Sequence, residues 1–200
     1  MSDGFRPLPG FLSAARQGAL VEAVAAVVEA APWTVPTMPR SGRPLSVRMT
    51  NAGELGWVSD RDGYRYQPLH PDTGRPWPAI PAEMLEVWQE AARSDALPEC
   101  CLVNLYRDGA RMGLHQDRDE RDFSVPVVSI SLGDRALFRI GGTSRRDPTR
   151  SLWLESGDVV VLGGASRLAF HGIDRVEGGT SGLVPGGGRI NLTLRRVNGP

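Results

Sequence analysis

Apolar positions recur at helical spacing in two stretches of the chain. Leu20, Val24, Val27 and Val28 form one stripe between Ala14 and Ala31, with Ser13 placed to cap its start and Pro32 to stop it. The other runs from Ala82 to about Ser94, with Pro81 at its head and Met84, Leu85, Val87 and Trp88 available for burial. Residues 1–10 read as a Pro/Gly-rich arm, and Leu45 to Thr50 as a short strand. Residues 51–80 have little periodicity and hold exposed-type aromatics, Trp57, Tyr64, Tyr66 and Trp77. A long aperiodic stretch inside a compact domain is usually functional.

After residue 99 the pattern changes to short strands: 100–106, 111–117, 127–132, 136–140, 151–155, 158–162, 167–173 and 189–196. Turn signals separate them, among them Asp108-Gly109, Gly133-Asp134, Gly141-Gly142 and Gly163-Gly164. Short strands without intervening helices predict a mostly β (α+β) fold, a double-sheet jelly roll or closed barrel, with the two helices on one outer face. The Gly-rich loop 178–188 before the last strand is expected to be mobile.

Length and composition narrow the class. A chain of 200 residues is one domain or two small ones and can bury a core without a disulfide or metal staple. No apolar run is long enough to span a bilayer, and the N-terminus lacks a signal-peptide core, so a cytoplasmic protein is expected. Formal net charge is zero, which removes the easiest argument for nucleic acid. All 23 basic residues are arginine, a trait of GC-rich coding sequence or of phosphate recognition. The adjacent Cys100 and Cys101 would point to opposite faces of a strand and read as buried, reduced thiols.

Candidate chemistry lies in the β region. On a strand, His115 and Asp117 face the same volume. Strand closure would bring His171 into it. Two imidazoles and one carboxylate make the facial triad of non-haem Fe(II) oxygenases, with positions left open for co-substrate and oxygen. A surface turn or a plain His–Asp hydrogen bond would account for the H-x-D pattern as well. The stretch Arg189 to Arg195 alternates without a fault. Ile190, Leu192 and Leu194 share one face; Arg189, Asn191, Thr193 and Arg195 share the other. That polar face is either the solvent side of a sheet or the lining of a barrel. In a barrel, buried guanidinium groups need an acid partner, which a dicarboxylate co-substrate would supply. Asn104 and Tyr106, spaced by two, are able to donate to the same acid.

The segments NLYRDGARMGLHQDRDE, PVVSISLGDRALFRIGG, LESGDVVVLGGASRLAFHGI and RINLTLR, with LGWVSDRDGYRY and PWPAIP upstream, resemble the AlkB family of Fe(II)/2-oxoglutarate-dependent dioxygenases over about residues 45–196. The resemblance implies a double-stranded β-helix with a nucleotide-recognition lid. It implies His115, Asp117 and His171 as iron ligands. It implies Asn104, Tyr106, Arg189, Asn191 and Arg195 around 2-oxoglutarate, with Arg195 favoured for the distal carboxylate. Trp57, Tyr64, Asp119 and Arg145 would meet the alkylated base or its backbone, with O2 as second co-substrate. Trp57 and the ring of His115 would sandwich the base, and Asp119 would favour the positive charge of a methylated one.

The implied activity is oxidative demethylation of 1-methyladenine and 3-methylcytosine in single-stranded or flipped-base DNA, or RNA, releasing formaldehyde. The layout expected is one domain over 1–200: arm and helix at 1–44, lid at 45–80, supporting helix at 81–98 and catalytic core at 99–197. The protein is expected to be a monomer without a membrane partner. Two rivals remain: the same chemistry on RNA or protein side chains, and a non-catalytic jelly-roll binding module with zinc or no metal. Two charged stretches carry further expectations. The charge run from Asp117 to Asp122 would ordinarily be a solvated turn. Arg145, Arg146 and Arg150 form one local basic cluster suited to phosphate or to a solvated hairpin end.

Overall fold

The computed structural model describes residues 4–107 and 109–199, so Asp108 of the expected Asp108-Gly109 turn and residues 1–3 of the arm lie outside it. The arm contains a strand, β1 (Phe5–Leu8), whose four residues are too few to show a period. Ser13 accepts a hydrogen bond from the Arg16 amide and starts α1 (Ala14–Ala30), which buries Leu20, Val24 and Val27. Next come β2 (Val47–Gly53), a hairpin of β3 (Gly56–Asp60) and β4 (Gly63–Gln67), and α2 (Ala82–Ala92). The aperiodic stretch thus contains regular structure. Of its aromatics Tyr64 is exposed, whereas Trp77 is buried flat against Gly56 and donates to the Gln67 carbonyl.

The expected run of strands follows as β5 (Cys100–Tyr106), β6 (Met112–His115), β7 (Val127–Gly133), β8 (Ala136–Ile140), β9 (Arg150–Leu154), β10 (Val159–Leu162), β11 (His171–Val176) and β12 (Arg189–Arg195). They form two antiparallel sheets. One has the order β1-β10-β7-β12-β5-β2; the other has β6-β11-β8-β9. This is the jelly roll that the run of short strands predicts. β2 belongs to the six-stranded sheet, so the separate element within 45–80 is the β3–β4 hairpin.

Side-chain parity divides the large sheet into two faces. Cys101, Val103 and Leu105 of β5 and Ile190, Leu192 and Leu194 of β12 pack outward against Leu20, Val24, Met84, Val87 and Trp88 of the helices. Cys100, Leu102 and Tyr106 point into the space between the sheets with Phe138, Ile140 and Ile173. Both cysteines are free and buried on opposite faces, and burial pushes the Cys100 thiol up to about 12. The helices are therefore a backing, and the chemistry lies on the other face. No helix of the described residues is long and apolar enough to cross a membrane.

Two connections differ from expectation. The strand expected at 167–173 begins only at His171, as β11, after a single 3-10 turn at Gly164–Ser166. The Gly-rich loop is tied down. Buried Asp134 accepts from the Thr180 and Ser181 amides at 2.9 Å each and from Gly188 N–H at 3.0 Å. Gly186, Gly187 and Gly188 all have positive φ, so the glycines turn the chain onto this carboxylate. That anchor sets the entry of β12.

Candidate iron and co-substrate site

β6 and β11 pair so that His115 and His171 are direct cross-strand partners. Their ring centroids lie 4.6 Å apart. Gly172 permits this approach, because a Cβ there would sit 2.5 Å from the Met112 carbonyl oxygen and 2.8 Å from that of Gly113. Both Nδ1 atoms lie 2.9 Å from main-chain carbonyls, of Gly113 and Ala169 respectively. A carbonyl only accepts, so each Nδ1 carries the hydrogen and each Nε2 keeps its lone pair for a metal.

Asp117 is not on a strand: β6 ends at His115. It reaches the histidines from the following loop, where Arg167 donates to its main-chain carbonyl at 2.7 Å and to that of Val125 at 3.0 Å. Its carboxylate oxygens stand 3.7 Å from each His Nε2. The three donor atoms lie within 4.8 Å of one another. The two-residue period thus named the right neighbours, but a buried arginine, not pleat geometry, puts Asp117 there. Burial alone would raise the Asp117 carboxyl; Arg195, then His171 and His115, hold it well below the usual carboxylate range. Burial, followed by the nearby His115, lowers the His171 imidazole to about 4. An ionised carboxylate and two imidazole Nε2 atoms are the donor set Fe(II) takes, and an open side remains.

The polar face of β12 is the lining of the interior, not a solvent face. The strand pairs Arg189 with Tyr106 and Asn191 with Asn104 across β5. Arg189 is fully buried, and only Nη2 has a hydrogen-bond partner, Ser131 Oγ at 2.9 Å. Its Nε and Nη1 have none, nor does Asn104 Oδ1. Burial lowers the Arg189 guanidinium to about 10, so it remains a cation at neutral pH. Leaving such a cation unpaired costs several kcal/mol, roughly. An anion in the cavity removes that cost.

Two of the expected co-substrate residues already have protein partners. Arg195, expected to grip the distal carboxylate, reaches Asp117 Oδ2 at 3.2 Å and Glu120 Oε1 at 2.9 Å, and its Nε has no hydrogen-bond partner. Asn191 has no donor to offer, since its Nδ2 bonds Ser129 Oγ and the Ile130 carbonyl.

A single cavity of about 730 Å³ is lined by the triad, by Asn104, Tyr106, Arg189, Asn191 and Arg195, and by Trp57, Tyr64, Asp119 and Arg145. At its mouth Trp57 stacks on Tyr64, with ring centroids 5.5 Å apart, and its Nε1 donates to Asp119 Oδ2 at 2.8 Å. Arg145 donates to the Leu114 carbonyl and lies over Phe170. The basic cluster diverges, since Arg150 lies over Phe5 instead. The third histidine, His70, is structural: its Nε2 meets the Pro32 carbonyl, and its Nδ1 accepts from Asp72 and Thr73 N–H.

Sequence reasoning missed Glu120, Arg167 and Tyr66. Glu120 lies in the run Asp117 to Asp122, which is not simply solvated, because Asp117 and Glu120 are buried while Asp119 is exposed. Nothing local marks these charges as internal. Their hydrogen-bond partners include residues 42 to 129 positions away.

The model of the 2OG-Fe(II) oxygenase superfamily matches residues 4–195. An alpha-ketoglutarate-dependent dioxygenase AlkB homolog of Caulobacter vibrioides is 61% identical over 194 residues, 97% of this chain and 88% of that protein. The alpha-ketoglutarate-dependent dioxygenase AlkB of Escherichia coli is 48% identical over 160 residues, 78% of this chain and 74% of that one. A DNA N(6)-methyladenine demethylase of Arabidopsis thaliana is 36% identical over 173 residues, 71% of this chain but 38% of that protein. Among solved structures, OsALKBH1 superimposes with a TM-score of 0.84 at 31% identity, covering 98% of both chains. With an iron triad, a waiting guanidinium and these relatives, the chain belongs to the AlkB family of Fe(II)- and 2-oxoglutarate-dependent dioxygenases.

Proposed function

We propose that this dioxygenase removes N-alkyl groups from DNA bases of the 1-methyladenine and 3-methylcytosine type, releasing formaldehyde and the restored base. The observation that carries this reading is that two stacked aromatic rings and a carboxylate, Trp57, Tyr64 and Asp119, line the same cavity as the triad. Fe(II) held by His115, Asp117 and His171 would couple decarboxylation of 2-oxoglutarate to succinate with hydroxylation of the N-methyl carbon by O2.

The chain's own groups do the rest. Arg189 takes the distal carboxylate of 2-oxoglutarate, because this buried cavity cation has two unpartnered nitrogens and, among the described residues, no salt-bridged acid, whereas Arg195 is paired with Asp117 and Glu120. The Tyr106 hydroxyl, its rung partner, whose only other hydrogen-bond contact among the described residues is Met112 Sδ at 3.8 Å, is free to donate to the same acid. Asn104 lies two residues along β5 on the same face, opposite Asn191. Trp57 and the His115 ring hold the base, and Asp119 favours a methylated, cationic one. Arg145 meets the backbone phosphate. A stacked base cannot reach a metal inside the jelly roll, so the base enters flipped or from a single strand. The segment 45–80, chiefly its hairpin, is the nucleotide-recognition lid. We place the enzyme in the cytoplasm as a monomer, with Cys100 and Cys101 reduced.

The test is anaerobic Fe(II) and 2-oxoglutarate titration, then oxygen with 1-methyladenine oligonucleotides of DNA and of RNA and a methylated peptide. Formaldehyde and succinate formed together on DNA are expected. Formaldehyde on RNA or peptide alone would reassign the substrate. Absence of 2-oxoglutarate turnover, or full succinate production by His171→Ala, would overturn the reading.

A further inference from the structure

Glu120 is the centre of a buried charge network that iron ligation alone does not require. Its side chain is fully buried. Oε1 accepts from the Tyr66 hydroxyl at 2.6 Å and from Arg195 Nη1 at 2.9 Å. Oε2 faces Arg167 Nη2 at 3.4 Å. Both arginines also hold Asp117: Arg195 Nη2 meets its carboxylate at 3.2 Å, and Arg167 Nη1 donates to its main-chain carbonyl at 2.7 Å. Asp117 is therefore gripped at both ends by cations that share one acid. Arg195 Nη1 lies 3.0 Å from the Tyr66 hydroxyl, which closes a triangle with Glu120.

Tyr66 lies on β4, paired directly with Trp57 on β3. The hairpin that carries Trp57 and Tyr64 over the cavity mouth is thus joined to a metal ligand through the half-buried Tyr66 and the buried Glu120 and Arg195. A rigid pair needs no charges for packing alone. Two arginines and an acid, all buried, define directions, because each contact fixes the orientation of the next.

We propose that Tyr66 and Glu120 are positioning residues: they aim Arg195 at one oxygen of Asp117 and so couple the order of the β3–β4 hairpin to metal occupancy. The coupling is reciprocal. A metal that fixes Asp117 steadies Arg195, Glu120 and the hairpin, and a hairpin seated on its cavity strengthens the metal site. The inference rests on the triad as the iron site and uses no nucleic acid, so an error in the substrate reading leaves its test intact.

The test is amide hydrogen exchange of residues 56–67 in the full chain, with and without Co(II) plus 2-oxoglutarate under anaerobic conditions, alongside metal affinity by titration. In the unaltered protein, metal is expected to slow exchange in the hairpin. Tyr66→Phe should fold, bind metal more weakly and lose the metal-dependent part of the protection. Glu120→Gln should weaken metal binding by about tenfold or more. Arg65→Gln is the control. It breaks the Arg65–Asp60 pair in the same hairpin without touching the network, so affinity should not change. Hairpin exchange in the unaltered protein that ignores the metal would overturn the proposal and needs no variant. So would Tyr66→Phe with unchanged affinity and protection, or Arg65→Gln reproducing its effects.

Discussion

Arg189 separates stability from function at the level of one residue. Its charge is buried with two unpartnered nitrogens, so the folded protein gains little from it until an anion arrives. Arg189→Met is expected to leave the thermal midpoint unchanged or higher and to raise the 2-oxoglutarate KM by about a hundredfold or more, as for truncating one side of a buried charge pair. A variant with lowered stability and normal KM would place the co-substrate elsewhere. His171 carries a pH signature in the metal-free protein. Its folded value is about 4, against about 6.5 for an unfolded chain. Between those values the unfolded chain takes up a proton that the folded chain refuses. Stability therefore falls as pH drops through that window, by up to about 3 kcal/mol, and this group adds no further loss below it. Urea titrations from pH 7 to 4 on the metal-free protein and on His171→Asn measure it: the variant should lose that part of the slope.

The strand pairs carry the site at the next scale, through the close contact of β6 and β11. Gly172→Ala would push a methyl against two main-chain carbonyls of β6, which move only if the strand moves. The expected result is destabilisation of about 1–3 kcal/mol with a loss of at least roughly tenfold in iron affinity, read by urea melts and metal titration. If affinity holds, the cross-strand rung is not what sets the donor geometry. Short apolar-rich runs between turn signals made β5, β7, β10 and β12 legible to within a residue or so, although these strands are buried on both faces. The same signals missed β1, where Pro7 and four residues leave no pattern, and started the His171 strand early. There the apolar Leu168 and Ala169 fill the turn after the buried Arg167 rather than continuing a strand.

At the scale of the whole molecule, the N-terminal segment closes the far edge of the large sheet. β1 pairs along the whole of β10, and Phe5 stacks on Phe138, whose other neighbour is His171. Removing residues 1–9 uncovers the β10 edge and Phe138. Loss of the buried Phe5 ring alone is worth about 1.5–3 kcal/mol, so a clear fall in melting temperature is expected, with self-association through the bared edge. Calorimetry and light scattering on the truncated chain check both. An unchanged melting temperature would mean that the jelly roll is complete without β1.

The residue pattern by itself determined which side chains share a face: Arg189 with Asn191 and Arg195, Asn104 with Tyr106, and Cys100 opposed to Cys101. Pleating is local, and two residues along a strand always return to the same side. Only the tertiary structure decided that the polar face of β12 is internal, that Asp117 enters from a loop, and that Arg195 rather than Arg189 has acid partners. It also decided that one charge run holds both buried and exposed acids. These outcomes depend on whether a charge finds partners after burial, and those partners, Arg167 for Asp117 and Arg195 for Glu120, lie 50 and 75 residues along the chain.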